Sequence, residues 1–358
     1  MIRWATGLAR GAVRRYSRAA DLRWRRLPHL AVGRRSGDRP TVYYLAPVPS
    51  GIFGGIRNLY RHVDNLNAVG ISAAVVHPRT GYRASWFAND TRVLGASEVV
   101  LTPDDLLVVP ECYGPGLGAV PDGVRVVVFN QGAYITFDHV PFDTTRAGAP
   151  YADVPGLVGL LAVSRDNAEL LRYTFPDLPV GIARPVIDPE LFHPSGEPPA
   201  RRLAYLTHRR PEEREQLRHT LRARGLLERW AEAPIVGRSE SETAAIMRGS
   251  AIFLSFSHRE GFGLPPAEAM ASGCFVVGYA GLGGREYFEP PECAPVPDGD
   301  LLAFARAVEA ACAAYDDDPE TFRKAGLAAS ERIRARYSVE ALRAELLDFY
   351  TPLLGAAR

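Results

Sequence analysis

From Thr41 the chain alternates between short apolar, β-branched runs and longer stretches whose apolar residues recur every three or four positions. The runs at 41–48, 72–77, 106–110, 124–130 and 157–163 read as strands. A second series begins after Asp188-Pro189, with strands near 202–207, 251–256 and 274–279. Helices near 211–224, 240–249 and 265–272 separate them, and three helical segments (300–314, 319–336, 338–350) close the chain. No internal repeat or low-complexity segment interrupts the pattern.

Strand–helix alternation predicts parallel sheets covered by helices on both faces, an α/β class. Two such series predict two Rossmann-like domains facing each other across a cleft, one over 37–187 and one over 188–336. The length of 358 residues agrees, at roughly 100–200 residues per domain. Residues 1–36 break the pattern. On a helix, Ile2, Ala5, Ala9, Val13, Tyr16, Ala20 and Leu27 share one face, and Arg3, Arg10, Arg14, Arg18 and Arg25 share another. A basic amphipathic extension of this kind either lies on an anionic membrane surface or packs on the protein's own body. Its arginines interrupt any apolar segment of the sort a signal peptide needs.

Charge sharpens this division. The whole chain has 42 basic and 41 acidic residues, a net of +1, which argues against a nucleic-acid partner. Residues 1–40 nevertheless hold eleven arginines against Asp21 and Asp38, a net of +9, so the remainder carries −8. Lys324 is the only lysine, in a charged helical stretch. Pyridoxal-phosphate and Schiff-base chemistry, which need a lysine at the reacting centre, are therefore not expected, nor is a P-loop. Cys112, Cys274, Cys293 and Cys312 lie far apart without zinc-site spacing, so a reducing, cytoplasmic setting is expected.

Ligands of parallel sheets sit beyond the carboxyl ends of the strands, against helix N-termini. Three segments fit. Ser50 to Arg57 follows the first strand, and its Gly54-Gly55 pair lets backbone approach an anion; a strand-to-helix turn alone also favours glycine. Thr207-His208-Arg209-Arg210 ends a strand of the second series, where basic groups neutralise a diphosphate or simply pair with the following acids. The third segment is Glu260-Gly261-Phe262-Gly263-Leu264-Pro265-Pro266-Ala267-Glu268. Two carboxylates eight residues apart bracket a glycine loop that opens a proline-started helix, whose dipole favours an anion. A first-turn acid alone would explain Glu268, but not the whole arrangement.

This last segment resembles the E-x7-E region of retaining GT-B glycosyltransferases of the large family 4 group (glycosyl transferases group 1). Other segments are similar in order and spacing: Gly54-Gly55, Ala162 to Leu171, Arg184 to Phe192, Gly283-Gly284-Arg285-Glu286, and Tyr337-Ser338 with its helix. The resemblance spans roughly residues 41–354 and implies that 337–358 forms a helix returning to the first domain. It implies a nucleotide-sugar donor in the second domain and a glycan or lipid-linked acceptor at the first, in bacterial polysaccharide or cell-envelope glycan synthesis. By resemblance Glu268 takes the ribose hydroxyls, and Glu260 holds hydroxyls of the donor sugar. Amides of Gly261, Phe262, Gly263 and Leu264 border the sugar and phosphate, and His208 and Arg209, with Arg210 in reserve, hold the diphosphate.

Two departures stand out. His208 and Arg209 occupy positions where the family has Arg and Lys, so Arg209 is the expected cation. The family often has a His after the fourth strand of the first domain, but here that strand ends in Asn130-Gln131, with His139 eight residues further on. Gln131 hydrogen-bonds without carrying charge. No cofactor and no obligatory metal are implied; Asp104-Asp105 and Asp316-Asp317-Asp318 fall in a loop and between helices. First-domain aromatics Tyr82, Trp86, Phe87, Tyr134 and Phe137 either stack on a sugar acceptor or pack in the core. The expected setting is cytoplasmic, peripheral at the inner membrane face if residues 1–36 bind lipid. The rivals are a nucleotide-sugar epimerase on the same fold and a donor-binding partner subunit without turnover.

Overall fold

A computed structural model of the protein describes residues 26–34, 39–48, 53–138 and 140–355. Its first sheet is built from β2 (Val42–Leu45), β3 (Ala73–His77), β4 (Val93–Gly95), β6 (Leu106–Pro110), β7 (Arg125–Asn130), β8 (Leu157–Ala162) and β9 (Val180–Ile182). The central strands read as apolar runs because both of their faces are buried. Their order is β4-β3-β2-β6-β7-β8-β9, with every pair parallel. Chain direction across the sheet reverses between β2 and β6, which opens a crevice at their carboxyl ends.

The second sheet contains β10 (Ala200–Leu206), β11 (Ala231–Ile235), β12 (Ser250–Phe256), β13 (Phe275–Tyr279) and β14 (Cys293–Pro295), in the order β11-β10-β12-β13-β14 and again parallel. Its reversal lies between β10 and β12. The loops carrying His208-Arg209 and Glu260–Gly263 leave those two strands, so topology alone brings them together.

Helices α1 (Gly54–Ala68), α2 (Arg165–Thr174), α3 (Pro211–Ala223), α4 (Glu240–Arg248), α5 (Leu264–Ala271), α6 (Leu301–Asp317) and α7 (Pro319–Arg336) cover the sheets. The last helix, α8 (Val339–Gly355), packs back on α1 and β9 of the first domain. Leu342, Leu346 and Tyr350, spaced by four, are its buried stripe. The Tyr350 hydroxyl meets that of Tyr44 at 2.7 Å. Where the chain crosses between domains, Arg184 Nε donates to Glu286 Oε1 at 3.0 Å and its Nη1 to Glu345. Tyr337 donates to the same Glu286 oxygen at 2.9 Å.

Besides the three-residue strands β4, β9 and β14, which the periodicity does not mark, two features depart from the pattern-based reading. β11 is not predicted, because its sequence Ala-Glu-Ala-Pro-Ile neither alternates cleanly nor forms an apolar run. It is an edge strand, where a proline costs no interior ladder bond. The second departure corrects the boundary of the N-terminal extension. β1 (Ala31–Val32) pairs in parallel with β5 (Val100–Leu101), and Leu30 is buried in the first domain's core with Leu27 packed beside it. Residues 27–33 thus belong to the first domain's body, and Leu27 serves it rather than a free amphipathic face. The rest of the extension, residues 1–25 and 35–36, lies outside the described residues. Among the described residues no helix is long and apolar enough to cross a membrane.

Candidate functional site

A cleft of about 690 Å³ separates the two sheets and is lined from both sides. Gly54, Gly55, Gln131, His208, Arg209, Glu260, Gly261, Phe262, Gly263, Leu264 and Glu268 all border it. The segments Ser50-Gly51-Ile52 and His139 lie outside the described residues. Arg210 turns away from the cleft. Its backbone is left-handed at φ 36°, and its guanidinium bonds Glu213 at 2.9 Å, meets Asp298 and lies 4.6 Å over the Tyr279 ring. A side chain so engaged does not border the cleft, whereas Arg209 does.

The loop between β12 and α5 is held through its backbone groups, by backbone partners and by two side-chain hydroxyls. Glu260 N–H donates to Gly281 O at 2.8 Å, and Gly283 N–H donates to Glu260 O at 3.0 Å. Ser164 Oγ donates to Gly261 O at 2.6 Å, and the buried Tyr287 hydroxyl donates to Phe262 O at 3.1 Å and Gly263 O at 2.5 Å. The Glu260 N–H is engaged in this way, and among the described residues no carbonyl accepts from the N–H groups of Gly261, Phe262 and Gly263. Gly261 is required by packing, since a Cβ there would run into the Gln131 carbonyl of the opposite domain. Gly263 is required by conformation, with φ 87° as the N-cap of α5. Pro265 and Pro266 lack N–H groups, so of the four positions whose N–H groups have no partner within the helix, Gly263 to Pro266, only Gly263 and Leu264 offer one. The start of α5 therefore presents the helix dipole with fewer N–H donors than a full turn.

Arg209 Nη2 bonds Glu260 Oε1 at 2.8 Å, with 40% of the arginine side chain exposed and 19% of the glutamate. Burial raises the Glu260 pKa, and Arg209 opposes the rise. His208 moves the other way: burial, then the charges of Arg209 and Arg214, lower its pKa from 6.5. It is a neutral hydrogen-bonding group at pH 7 and not a second cation. Gln131 is fixed by the glycine turn, accepting from Asn58 Nδ2 at 3.0 Å and donating to Gly55 O at 3.1 Å.

The cleft also holds residues that sequence reasoning did not single out. Arg57 Nη2 donates to Glu268 Oε1 at 2.9 Å, and its Nη1 meets Glu240. Arg57 belongs to α1 of the first domain, whereas both carboxylates belong to the second. Arg238, Thr243 and Ile135 line the same space. The available signal for Arg57 was its place two residues after Gly55, in the first turn of a helix. For Glu240 it was the helix start after Ser239, whose capping box with Glu242 is formed.

Of the five aromatics expected to meet an acceptor or pack in the core, Trp86 borders the cleft, and Phe53 lines it as well. Tyr82 packs 4.6 Å from the His77 ring, Phe87 is buried 5.3 Å from Tyr60, and Phe137 stacks with Phe175. Tyr134 donates to Asp166. The aspartate runs have structural work. Asp105 accepts from Thr41 N and Thr102 N, Asp316 pairs with Arg201 and Arg229, and Asp318 caps α7 through Thr321 N. Among the described residues no group of three or more His, Cys, Asp and Glu side chains is arranged to hold a metal ion.

Residues 211–326 match the family model described as glycosyl transferases group 1. An alpha-1,6-glucosyltransferase of Actinobacillus pleuropneumoniae serotype 7 is 38% identical over 86 residues, which are 23% of this chain and 25% of that protein. The match thus spans about a quarter of the curated relative. Among solved structures, a sucrose-phosphate synthase from Thermosynechococcus elongatus superposes with a TM-score of 0.64 at 15% identity, over 89% of this chain and 100% of the other. The Anabaena protein HepE, in complex with UDP and glucose, superposes at 0.59 and 13%, over 88% and 100%. The segment 211–326 is a glycosyl transferases group 1 segment, and the chain that contains it has the GT-B fold.

Proposed function

We propose that this protein is a retaining glycosyltransferase that moves a sugar from a nucleotide-diphosphate donor to a hydroxyl of a glycan or lipid-linked acceptor. The observation that carries the reading is the donor wall of the cleft. Glu260 and Glu268 bracket the N-terminus of α5, with Arg209 2.8 Å from Glu260. A carboxylate's two oxygens suit vicinal hydroxyls, so Glu268 takes the ribose and Glu260 the transferred sugar. Between them, loop amides, the helix dipole and Arg209 face the charge that grows on the departing diphosphate. The match to a bacterial glucosyltransferase and the likeness to a fold that binds UDP and glucose in HepE support a nucleotide-sugar donor and a role in bacterial glycan synthesis.

Chemically, the acceptor hydroxyl attacks the anomeric carbon on the face the diphosphate leaves, and the diphosphate oxygen takes its proton. The C–O bond to the diphosphate breaks as the new glycosidic bond forms on the same face. Gln131 supplies a neutral hydrogen bond beside the sugar. Trp86 stands on the first-domain wall of the cleft, an aromatic side chain on which an acceptor sugar can stack. Arg209 and the amides supply the positive charge a metal would otherwise bring, so turnover is expected to survive EDTA. A second reading, a donor-binding subunit without turnover, is favoured by the uncharged Gln131.

Stabilisation by nucleoside diphosphates in a thermal-shift screen tests donor binding. Release of nucleoside diphosphate only when an acceptor is present, with an unchanged anomeric configuration in the product, tests transfer with retention. Binding without release under any acceptor favours the subunit reading.

A further inference from the structure

Arg57 stands in the first turn of α1, and both of its acidic partners come from the opposite domain. Its side chain is 11% exposed and that of Glu268 10%, so the pair is held away from bulk water. A carboxylate at that depth needs a charged partner, and Arg57 is the cation that meets it among the described residues. The arginine's planar fork spans Glu240 and Glu268 together, which a single-point ammonium does less well. Only Oε1 of Glu268 is engaged. Oε2 takes no hydrogen bond among the described residues, on a side chain that borders the cleft. The first domain therefore fixes one oxygen of the carboxylate and leaves the other for a ligand.

We propose that Arg57 is a positioning residue of the donor site, contributed by the acceptor-side domain. By clamping Oε1 of Glu268 against Glu240, it sets the carboxylate for the ribose hydroxyls, so ribose recognition depends on the two domains being in contact. The inference rests on the assignment of Glu268 to ribose. It adds that discrimination for ribose is a property of the closed pair of domains and not of the second domain alone.

The test compares affinities for UDP, GDP, ADP and CDP with those for their 2′,3′-dideoxy counterparts by calorimetry. Wild type should favour the ribo form of whichever base it binds by about tenfold or more, as expected for hydrogen bonds to a charged group. Arg57→Met combined with Glu240→Gln removes one positive and one negative charge, leaving the local net charge unchanged. It should bring the two affinities within about threefold of each other, mainly by weakening the ribo form. Glu240→Gln alone leaves Arg57 on Glu268 and should keep most of the discrimination. Should the double variant not fold, Arg57→Lys keeps the charge without the fork and should show the same loss in part.

An undiminished ribo preference in these variants overturns the proposal, as does an equal loss for both probes, which would place Arg57 on phosphate or base. A gain in ribo affinity overturns it too, because Arg57 would then compete with ribose for Glu268. Failure of the underlying reading looks different: wild type itself would not distinguish the probes, or Glu268→Ala would leave the preference intact.

Discussion

The cleft contains two arginine–glutamate pairs with nearly the same geometry and opposite surroundings. Arg209 and Glu260 meet at 2.8 Å within the second domain, and the arginine is 40% exposed. Arg57 and Glu268 meet at 2.9 Å between domains, each near 10% exposed. The Arg209 guanidinium keeps contact with water although Glu260 is largely buried, so exchanging Glu260 for a diphosphate costs less than removing a cation that is itself buried. Removing one partner of a buried pair costs about 3–5 kcal/mol, so Arg57 is expected to stay on Glu268 throughout the cycle. The same chemistry thus provides a movable cation at one end of the donor and a fixed brace at the other.

The largest effect that would break this comparison is at Arg209. Arg209→Ala should cost about 2–4 kcal/mol in kcat/KM, by analogy with a removed oxyanion donor, whereas Arg210→Ala should stay within about threefold of wild type on the same scale. A dead Arg210→Ala beside an active Arg209→Ala would show that the diphosphate lies on the other arginine.

Next in size is the division of labour between the acids. Glu268→Ala should chiefly raise donor KM, because ribose contacts change little during reaction, and Glu260→Ala should chiefly lower kcat. About tenfold or more is expected in each parameter. Steady-state kinetics giving equal, small changes in both parameters for both variants would erase the distinction.

Smaller effects sharpen the electrostatics. Because burial and two arginines depress the His208 pKa below 6.5, the free enzyme should show no His208 inflection in kcat/KM between about pH 7 and 8, well above that range. His208→Gln should leave the profile's shape unchanged there, and a lost inflection in that variant would show a charged His208.

The smallest expected effect concerns stability. The folded pKa of Glu260 is raised above its ordinary 4.5, chiefly by burial. The folded state therefore binds the proton more tightly than the unfolded state, and its contribution is full below pH 4.5. It is lost as pH rises through the raised folded value. Glu260→Gln escapes that loss, so the unliganded variant should unfold at a higher temperature than wild type at pH 7, with the gap closing at low pH. A wild type that is more stable at pH 7 would mean that the pairing with Arg209 outweighs burial.

The second domain's wall of the cleft was legible in the sequence because it is contiguous. Four residues after a strand end, the Glu260 to Glu268 segment writes a glycine loop, two prolines and a helix start in nine consecutive residues. Glu268 and Glu260 could be placed from that alone. Arg57 with Glu240 and Glu268 was not legible, since that contact arises only when two domains meet across 211 positions of chain, and the Gln131–Asn58 contact within the first domain joins residues 73 positions apart. β11 and β1 were missed for a related reason. An edge strand with a proline and a two-residue pairing carry no periodicity, and their partners are distant in sequence. Arg210 was over-read because a run of basic residues does not say which one faces the cleft. A left-handed φ of 36° turns that residue outward.

The most direct measurement is a crystal structure of the protein with its nucleoside diphosphate bound. The account predicts Arg209 withdrawn from Glu260 onto the diphosphate, and Arg57 still on Oε1 of Glu268 while the ribose hydroxyls take Oε2. Arg209 remaining on Glu260 while Arg57 leaves Glu268 for the phosphates would contradict it, because the buried pair would then be the movable one.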